Sequence, residues 1–463
     1  MATKTQTKFN PVEMPLRGKL FVPGDKSIAQ RAIMLAAMAE GTSHIYGVPK
    51  SGDVMTVANA VQKLGASVKF SHSKNGNNRN VDCEITGWGA LGPAPQAQDI
   101  DCGNSATCAR VLMGVLTPFN LSKILDGDES LHHRPFMRVV DPLMQMGANF
   151  KVVAQKNGKP QRSSLPMEII GTLEPNALYY EMPVASSQVK TSILFAGANT
   201  PGTTTVIEPF QSRDHGELLL KRFRADVEID KDAFTVSVTG PSQLKAVDIN
   251  IPGDVSSAAY YLTAAALVPG SKITIENVGI NETRLGFVKA LERMGARIEI
   301  EELDSLDEPV GNITVQYAGR LNSIEVLDEE IPSMIDEIPI LALAAACAEG
   351  ESIFYGIREL KLKESNRIHT ISEGLRQLGT RAIDRGDTLY VEGGIDIEAK
   401  RSIKPVKKVV ELAHHGDHRL AIVWALIGLC GYTPTIVENF SKVSSISYPN
   451  FMDDFNELVL EEQ

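Results

Sequence analysis

The 463-residue sequence contains little of what marks secreted, membrane or zinc-binding proteins. Its five cysteines are scattered without a Cys-x-x-Cys pair, which argues against a disulfide framework and against the usual zinc-finger spacings. Long apolar runs are also missing: the longest one near the C-terminus, residues 420–430, is about half the length that spans a bilayer. The N-terminus lacks the apolar segment of a secretion signal. We therefore expect a cytoplasmic protein that does not bind membranes.

Negative side chains outnumber positive ones in this sequence, and the formal net charge is −11. No dense block of lysine and arginine with interleaved aromatic residues offsets it, so nucleic acid is not an expected partner. The histidines at 414, 415 and 418 fit neither His-Glu-x-x-His nor a Cys/His zinc pattern, and we expect no metal and no cofactor. A site for an anionic ligand must therefore be assembled locally from separate parts of the chain.

What the sequence does contain is an internal repeat. A strand-like run, Pro23-Gly24-Asp25 and an alanine-rich helix return as Pro252-Gly253-Asp254 with a similar helix. A second, amphipathic helix ends in short sequences such as Leu64-Gly65-Ala66. The glycine caps the helix, and an alternation of polar and apolar residues that is typical of a strand follows. Each copy is therefore predicted to be a βαβαββ unit. The other copies begin near residues 103, 186, 336 and 417.

Six such units predict an α/β protein of two similar domains with three units each. We expect one domain at 23–250 and the other at 1–22 plus 251–463, because the sixth unit lacks final strands that the N-terminal stretch can supply. The first helix of each unit is apolar on most sides, as a helix at a domain centre should be. We expect the active site in the cleft between the two domains.

Charged and polar residues are concentrated at the six helix starts. Lys26 and Ser27 begin the first helix, where free N–H groups and the helix dipole favour anions. A nucleotide-binding P-loop is one alternative, although Asp25 separates glycine from lysine, and an ordinary capped helix is another. The surplus of cations favours multiply anionic ligands, and carboxylates among them suit proton transfer. The cations are Lys26, Arg31, Arg134, Arg213, Lys363, Arg367 and Arg419, and the carboxylates are Asp254, Asp336 and Glu364.

Five motifs jointly resemble those of the 5-enolpyruvylshikimate-3-phosphate (EPSP) synthase family, the 3-phosphoshikimate 1-carboxyvinyltransferases. The resemblance extends from Leu16 to Phe451 and implies the inside-out α/β barrels of the enolpyruvyl transferase fold, in agreement with the repeat count. It implies transfer of the enolpyruvyl group of phosphoenolpyruvate to the 5-hydroxyl of shikimate 3-phosphate, with release of phosphate from a tetrahedral intermediate. This reaction belongs to the shikimate pathway, which leads to chorismate and the aromatic amino acids. The motifs are Pro-Gly-Asp-Lys-Ser at 23–27, Gly-Asn-Ser-Ala-Thr at 103–107, Ser-Ser-Gln-Val-Lys at 186–190, Lys-Glu-Ser-Asn-Arg at 363–367 and Gly-Asp-His-Arg at 416–419.

The resemblance also assigns roles to individual residues. It implies that Asp336 is the base toward the 5-hydroxyl, that Glu364 is the acid toward C3, and that Lys26 shares in proton transfer. The residues implied to bind shikimate 3-phosphate are Lys26, Ser27, Arg31, Ser186, Ser187, Gln188, Arg213, Asp336 and Lys363. Those implied to bind phosphoenolpyruvate are Lys26, Asn104, Ala106, Arg134, Gln188, Arg367 and Arg419.

Two departures from the commonest family members matter. Ala106 replaces a glycine beside the phosphoenolpyruvate site, and Glu359-Leu360-Lys361 replaces Asn-Trp-Arg, so the resemblance is to the class II, glyphosate-tolerant type. We expect the inhibitor glyphosate to bind weakly, because the methyl group of Ala106 would crowd a ligand longer than phosphoenolpyruvate. The second departure is a missing lysine just before Tyr448-Pro449, for which Lys442 is the candidate replacement.

Two alternative functions stay open at this point. The related UDP-N-acetylglucosamine enolpyruvyl transferase has Lys-Asn where this chain has Lys26-Ser27, and a reactive loop cysteine unlike Cys102 or Cys108. A non-catalytic repeat scaffold would have no reason to keep carboxylates among so many cations. We expect a monomeric enzyme that acts on small molecules.

Overall fold

The chain divides into two compact units, each with its own hydrophobic core. The computed structural model describes residues 5–73, 79–153, 164–306, 308–401, 408–431 and 433–460. We call Gly24–Ile251 the inserted unit, and Met1–Pro23 with Pro252–Gln463 the discontinuous unit. Among the described residues, no helix has the length and apolar character needed to cross a membrane.

The inserted unit follows two strands that belong to the discontinuous unit. These two strands are β1 (Gln6–Phe9) and β2 (Arg17–Phe21). The described elements of the inserted unit are α1 (Lys26–Met38), β3 (Thr42–Pro49), α2 (Gly52–Lys63), β4 (Ser67–His72), β5 (Asn80–Thr86), β6 (Ile100–Asp101), α3 (Ala106–Leu116), β7 (Ser122–Asp126), α4 (Glu129–His132), α5 (Met137–Gln145), β8 (Asn149–Val152), β9 (Met167–Ile170), β10 (Tyr179–Glu181), α6 (Ser187–Gly197), β11 (Gly202–Ile207), α7 (His215–Arg222), β12 (Asp226–Asp230), β13 (Thr235–Gly240) and β14 (Ile249–Asn250).

The strands of the inserted unit form three four-stranded sheets with one shared pattern. Their orders are β14-β3-β5-β4, β6-β7-β9-β8 and β10-β11-β13-β12. In each sheet the first two strands pair parallel and the other pairs are antiparallel. A parallel pair needs a crossover helix, which α3 supplies between β6 and β7 and α6 supplies between β10 and β11. The βαβαββ prediction is therefore confirmed.

The helices α1, α3 and α6 occupy the centre of the inserted unit. Their residues are buried on nearly all sides, because these helices pack against one another as well as against the sheets. The backbones of α3 and α6 approach closely at Gly114, where an added Cβ atom would lie 2.0 Å from the carbonyl oxygen of Ser192. The second helices α2, α5 and α7 bury one face only.

The discontinuous unit repeats this architecture. Its elements after β1 and β2 are α8 (Val255–Leu267), β15 (Lys272–Gly279), α9 (Gly286–Arg293), β16 (Arg297–Leu303), β17 (Val310–Gln316), β18 (Glu325–Val326), α10 (Ile338–Ala346), β19 (Glu351–Phe354), α11 (Arg367–Gln377), β20 (Ala382–Asp384), β21 (Leu389–Glu392), α12 (Ile397–Arg401), β22 (Val410–Glu411), α13 (His418–Leu429), β23 (Thr435–Glu438), α14 (Phe440–Ser444) and α15 (Phe451–Leu460). The helices α8, α10 and α13 are buried and in contact at its centre. Its described sheets are β2-β15-β17-β16, β18-β19-β21-β20 and the three-stranded β1-β23-β22.

The N-terminal strands join two different sheets. The prediction that this stretch completes the sixth copy is confirmed for β1, which pairs antiparallel with β23 so that Gln6 lies opposite Glu438. It is wrong for β2, which pairs parallel with β15 of the fourth copy. The reason is that the end of β2 lies beside the start of α8, although the inserted unit separates them in the sequence. The backbone N–H of Asp254 donates to the carbonyl oxygen of Pro23 at 2.8 Å. In the inserted unit β14 takes the corresponding edge position beside β3.

Candidate functional site

The start of α1 presents Lys26 beside a carboxylate. Asp25 caps the helix, since its Oδ1 accepts the backbone N–H of Ile28 at 2.9 Å. Lys26 extends from the first turn, and its Nζ lies 2.8 Å from Oδ2 of Asp53 in the first turn of α2. Both side chains are mostly buried, at 12% and 15% exposure, so the pair is only partly screened by solvent. Lys26 is thus held in one orientation at the positive end of a helix dipole.

Arg31 connects the start of α1 with the start of α6. It is 1% exposed, and its Nη1 donates to the carbonyl oxygen of Ser27 at 2.9 Å. Its Nη2 donates to Oγ of Ser187 at 3.2 Å and its Nε to Oγ1 of Thr191 at 3.1 Å. Arg31 therefore fixes two of the predicted hydroxyl residues, Ser27 and Ser187, relative to each other.

Two further bonds tie α3 to the same helix starts. Ser105 caps α3, and its Oγ donates to Oε1 of Gln30 on α1 at 2.8 Å. On the other side, Nε2 of Gln188 on α6 donates to Oγ1 of Thr107 at 2.8 Å, and Oε1 of Gln188 accepts from Nη1 of Arg110 at 2.6 Å. The first turns of α1, α3 and α6 are thus bonded pairwise into one polar surface.

The remaining predicted residues of the inserted unit lie in or beside these first turns. Ala106 is the first residue of α3 and is 5% exposed, and Ser186 is the cap position of α6. Nδ2 of Asn104 donates to Oδ2 of Asp128, the cap of the short helix α4 that precedes the buried Arg134. Nη1 of Arg213 lies 3.3 Å from Oγ of Ser27.

In the discontinuous unit, Asp336 is surrounded by three cations. Its Oδ1 lies 3.2 Å from Nζ of Lys363 and 3.5 Å from Nη1 of Arg367. Its Oδ2 lies 3.6 Å from Nη2 of Arg419. The carboxyl group is 14% exposed, so the field of these cations on Asp336 is only partly screened and stabilises a negative charge there.

Arg367 lies beside two further carboxylates of this group. Its Nε lies 2.7 Å from Oδ2 of Asp417 and its Nη2 lies 2.6 Å from Oε2 of Glu364. Burial lowers the pKa of the Arg367 guanidinium, but Asp417 and Glu364 outweigh it and the pKa is raised. The pKa of Arg419 is likewise raised, against the effect of burial, chiefly by Asp336. Asp417 also caps α13 through the backbone N–H groups of Arg419 and Leu420.

A third group of charges lies at the starts of α8 and α10. Nη2 of the buried Arg284 lies 3.2 Å from Oδ1 of Asp254, the cap of α8, and 3.8 Å from Oε1 of Glu337, the cap position of α10. Oγ of Ser256 donates to Glu337. The predicted Asp254 therefore belongs to a buried network at the start of α8.

The structure thus brings the predicted residues together in two sets, one in each unit. Sequence reasoning missed the roles of Asp53, Asp417 and Arg284, although each binds directly to a predicted residue. The signal for Asp417 was present, since it occupies the same helix-cap position in its copy as Asp25 and Asp254 do in theirs. Nothing comparable marks Asp53 or Arg284, whose partners are 27 and 30 residues away.

Chemically, both sets suit multiply anionic ligands. Arginine and lysine bind phosphate and carboxylate oxygens, and helix starts add backbone N–H donors. Carboxylates such as those among the cations of the discontinuous unit are groups that can accept or donate protons. Among the described residues, no three His, Cys, Asp or Glu side chains are arranged to hold a metal ion.

Comparison with known proteins gives concordant matches over almost the whole chain. The family model described as EPSP synthase (3-phosphoshikimate 1-carboxyvinyltransferase) matches residues 12–455. A 3-phosphoshikimate 1-carboxyvinyltransferase of Sphingopyxis alaskensis is 39% identical over 97% of each chain. One of Desulforamulus reducens is 40% identical over 98% of this chain and 99% of its own.

Solved structures agree with these matches. An EPSP synthase from Acinetobacter baumannii superposes with a TM-score of 0.81 at 33% identity, covering 99% of both chains. The enolpyruvyl transferase NikO from Streptomyces tendae, at 19% identity, shares the fold with a TM-score of 0.73 over 97% of this chain and 96% of its own.

The fold is therefore that of the enolpyruvyl transferases, with cation clusters at the helix starts of both units. Within the enolpyruvyl transferases, the sequence matches identify one family, and the chain belongs to the EPSP synthase family.

Proposed function

We propose that this chain is a 3-phosphoshikimate 1-carboxyvinyltransferase of the shikimate pathway. It transfers the enolpyruvyl group of phosphoenolpyruvate to the 5-hydroxyl of shikimate 3-phosphate. The family membership supports this function, and the observation that carries it in the structure is Asp336, a carboxylate held among Lys363, Arg367 and Arg419. Neither UDP-N-acetylglucosamine transfer nor a scaffold role is favoured by the relatives.

We propose that the two units contribute residues to the same pair of substrates. Shikimate 3-phosphate is bound by the first turns of α1 and α6 together with Arg213, and by Asp336 and Lys363. Phosphoenolpyruvate, which carries a phosphate and a carboxylate, is bound by a second set of residues that shares Lys26 and Gln188 with the first. The pairwise bonds among the first turns of α1, α3 and α6 support this division, since they hold many donors in fixed positions before a ligand arrives. The phosphoenolpyruvate set is Lys26, Asn104, Ala106, Arg134, Gln188, Arg367 and Arg419.

In the proposed mechanism two carboxylates move protons. The oxygen of the 5-hydroxyl forms a bond to C2 of phosphoenolpyruvate while its proton passes to Asp336, and Glu364 delivers a proton to C3. In the tetrahedral intermediate, the bond between C2 and the phosphate oxygen then breaks and C3 returns a proton to the Glu364 carboxylate, which restores the double bond between C2 and C3. Lys26 shares in proton transfer near C2.

The ion pairs of Asp336 couple its basicity to substrate binding. In the structure three cations lie within 3.6 Å of its oxygens and stabilise its negative charge. These same cations are proposed to bind the anionic substrates. A bound phosphate or carboxylate would offset their charge and raise the affinity of Asp336 for a proton, so the base would become effective when both substrates are present.

We also propose that the chain is of the class II type and binds glyphosate weakly. Ala106 supports this proposal, since its methyl group lies at the first position of α3 beside Asn104 and is nearly buried. Ala106→Gly should lower the inhibition constant for glyphosate with little change in the KM of phosphoenolpyruvate. A wild-type inhibition constant below that KM would contradict the proposal.

Further properties are proposed from the sequence. We expect a monomeric cytoplasmic enzyme, with no metal requirement. Lys442 remains the candidate for the missing C-terminal anion contact, and it is exposed in the last turn of α14.

The test is phosphate release from phosphoenolpyruvate, measured with shikimate 3-phosphate, with UDP-N-acetylglucosamine, and with no acceptor, each in the presence of a chelator. Release should require shikimate 3-phosphate and be insensitive to the chelator. Release without an acceptor, or only with UDP-N-acetylglucosamine, would overturn the proposed function.

A further inference from the structure

A buried ion cluster lies behind the start of α6, outside the predicted site. It consists of Lys190 in the first turn of α6, Glu208 directly after β11, Ser212 in the following loop and Glu217 on α7. None of these residues is more than 4% exposed. No step of the mechanism above uses them.

Glu208 is the centre of this Lys190 cluster. Its Oε2 lies 2.5 Å from Nζ of Lys190 and accepts the backbone N–H of Ser212 at 3.3 Å, while its Oε1 accepts the hydroxyl of Ser212. Nζ of Lys190 also lies 2.6 Å from Oε1 of Glu217. The backbone N–H of Glu208 donates to the carbonyl oxygen of Phe234 at 3.0 Å, which fixes its main chain beside β13.

These contacts close the loop between β11 and α7 at a defined point. Glu208 binds both the backbone and the side chain of Ser212, so the chain from 208 to 212 is folded into a short turn. The residue that leaves this turn is Arg213, whose Nη1 lies 3.3 Å from Oγ of Ser27. Lys190 joins the turn to α6, because it is the residue that holds Glu208 from the helix side.

The charge balance argues against a purely structural role. Two buried carboxylates share one lysine, and burial raises the pKa of the Glu217 carboxyl despite the opposing effect of Lys190. Oε2 of Glu217 is buried and makes no hydrogen bond to any residue that the structure describes. Apolar residues of similar volume would generally stabilise a fold as well as such a cluster does, or better. A polar cluster here is explained if the loop must be held in one conformation.

We propose that Glu208, held by Lys190, is a positioning residue that orients Arg213 toward the anionic acceptor substrate. This inference rests on the proposed function, in which Arg213 binds shikimate 3-phosphate. If Glu208 acts through Arg213, its loss should weaken binding of the acceptor and leave phosphoenolpyruvate binding and the chemical step largely unchanged.

The experiment compares Glu208→Gln with wild type in steady-state kinetics and in calorimetric titration of shikimate 3-phosphate. Loss of a charged hydrogen-bond acceptor should raise the KM and the Kd of shikimate 3-phosphate by about tenfold or more. The kcat and the KM of phosphoenolpyruvate should stay within about twofold of wild type. Equal changes in both KM values, or a loss of kcat alone, would overturn the inference.

A double-mutant cycle with Arg213→Ala separates positioning from general damage. If Glu208 acts through Arg213, then Glu208→Gln should have no further effect on the Kd of shikimate 3-phosphate once Arg213 is alanine. Additive effects would overturn the inference. If the wild-type chain fails to bind shikimate 3-phosphate, the proposed function is overturned and this inference with it, so the two failures are distinguishable.

Two more variants guard against misfolding. Ser212→Ala leaves the Lys190–Glu208 pair intact but removes the hydroxyl bond, so it should reproduce the specific rise in the KM of shikimate 3-phosphate in a folded protein. Glu217→Gln is the matched control, since Glu217 binds Lys190 without contacting Ser212 in any described bond. An equal rise in that KM for Glu217→Gln would contradict the assignment to Glu208.

Discussion

The two units build their helix starts from the same fold but pair their cations differently. In the inserted unit, Arg31 and Arg110 donate to hydroxyl, amide and carbonyl oxygens. In the discontinuous unit, Arg367 and Arg284 are bound to carboxylates, and Asp336 alone contacts three cations. In these bonds the arginines of the inserted unit bind neutral acceptors, whereas those of the discontinuous unit bind carboxylates.

The helix caps differ in the same direction, although Asp25 of the inserted unit is also a carboxylate. The central helices of the inserted unit begin at Asp25, Ser105 and Ser186, and those of the discontinuous unit at Asp254, Glu337 and Asp417. Hydroxyl caps satisfy the free N–H groups without adding negative charge, whereas carboxylate caps also reduce the positive potential of the helix start.

This difference suggests a division of labour within one reaction. A helix start with cations bonded to neutral groups can accept an anion without displacing a carboxylate. A start whose cations are bound to carboxylates offers groups for proton transfer, and anions that bind there compete with those carboxylates. We therefore expect the inserted unit to contribute mainly to substrate binding and the discontinuous unit to the chemical step.

Two lysines of the inserted unit are exceptions, because Lys26 is paired with Asp53 and Lys190 with Glu208 and Glu217. The loss of Lys26 should have the largest effect. Lys26→Ala should abolish detectable turnover at saturating substrates, since this residue is proposed to contact both substrates where they react. Lys63→Ala, an exposed lysine on α2, is the control and should turn over normally. Measurable kcat in Lys26→Ala, with only a higher KM, would reduce Lys26 to a binding residue.

Asp336→Asn should lower kcat by about 10²–10⁴-fold, the range for loss of a general base. The KM values should change much less than kcat, because the cations around Asp336 remain. Steady-state phosphate release measures both, with the exposed Asp304→Asn as a control from the same unit. Near-normal kcat would remove Asp336 from the proton-transfer step, and the same measurement applies to Glu364→Gln.

The difference between the neutral and the charged partners of these arginines should also appear in the free energy of unfolding. Arg367→Ala leaves Asp417 as a buried carboxylate without its main cation, which should cost about 3–5 kcal/mol of unfolding free energy. Arg31→Ala removes bonds to neutral groups and should cost about 1–3 kcal/mol. Denaturant unfolding of the two variants gives both values. Equal losses, or a larger loss for Arg31→Ala, would show that the pairing difference has no energetic consequence.

Away from the helix starts the two units should behave alike. Lys69 pairs with Glu84 in the inserted unit and Lys19 with Glu276 in the discontinuous unit, and both lysines are largely exposed. Exposed ion pairs contribute little to stability. Lys69→Gln and Lys19→Gln should therefore both leave the denaturation midpoint unchanged. A clear shift in only one of them would mean that the asymmetry extends beyond the helix starts.

Much of the fold could be predicted because each copy of the repeat has a recognisable local sequence pattern. Short sequences such as Leu64-Gly65-Ala66 indicate helix ends by a local rule. The apolar sequences of the first helices indicate that these helices are buried, whatever they pack against. The partner of β2 could not be predicted this way, since the chain leaves the discontinuous unit after Pro23 and returns only at Pro252.

The charged residues of the candidate site could be predicted from the sequence, but the ion pairs among them could not. Lys26, Asp336 and Arg367 stand out as charges at helix starts. Which carboxylate meets which cation depends on contacts between copies, such as that of Arg367 with Asp417, 50 residues apart in the sequence. The buried network of Arg284 is hidden for the same reason, because a single arginine in a loop has no sequence pattern of its own.

The most direct measurement is a proton NMR time course of the chain with phosphoenolpyruvate and shikimate 3-phosphate in D₂O. We expect the vinyl signals of an enolpyruvyl ether at the 5-oxygen to appear in step with phosphate, with deuterium at the vinyl carbon, because C3 gains a solvent-derived proton before it loses one. Phosphoenolpyruvate signals that stay unchanged, or that decay without formation of the ether, would contradict the account.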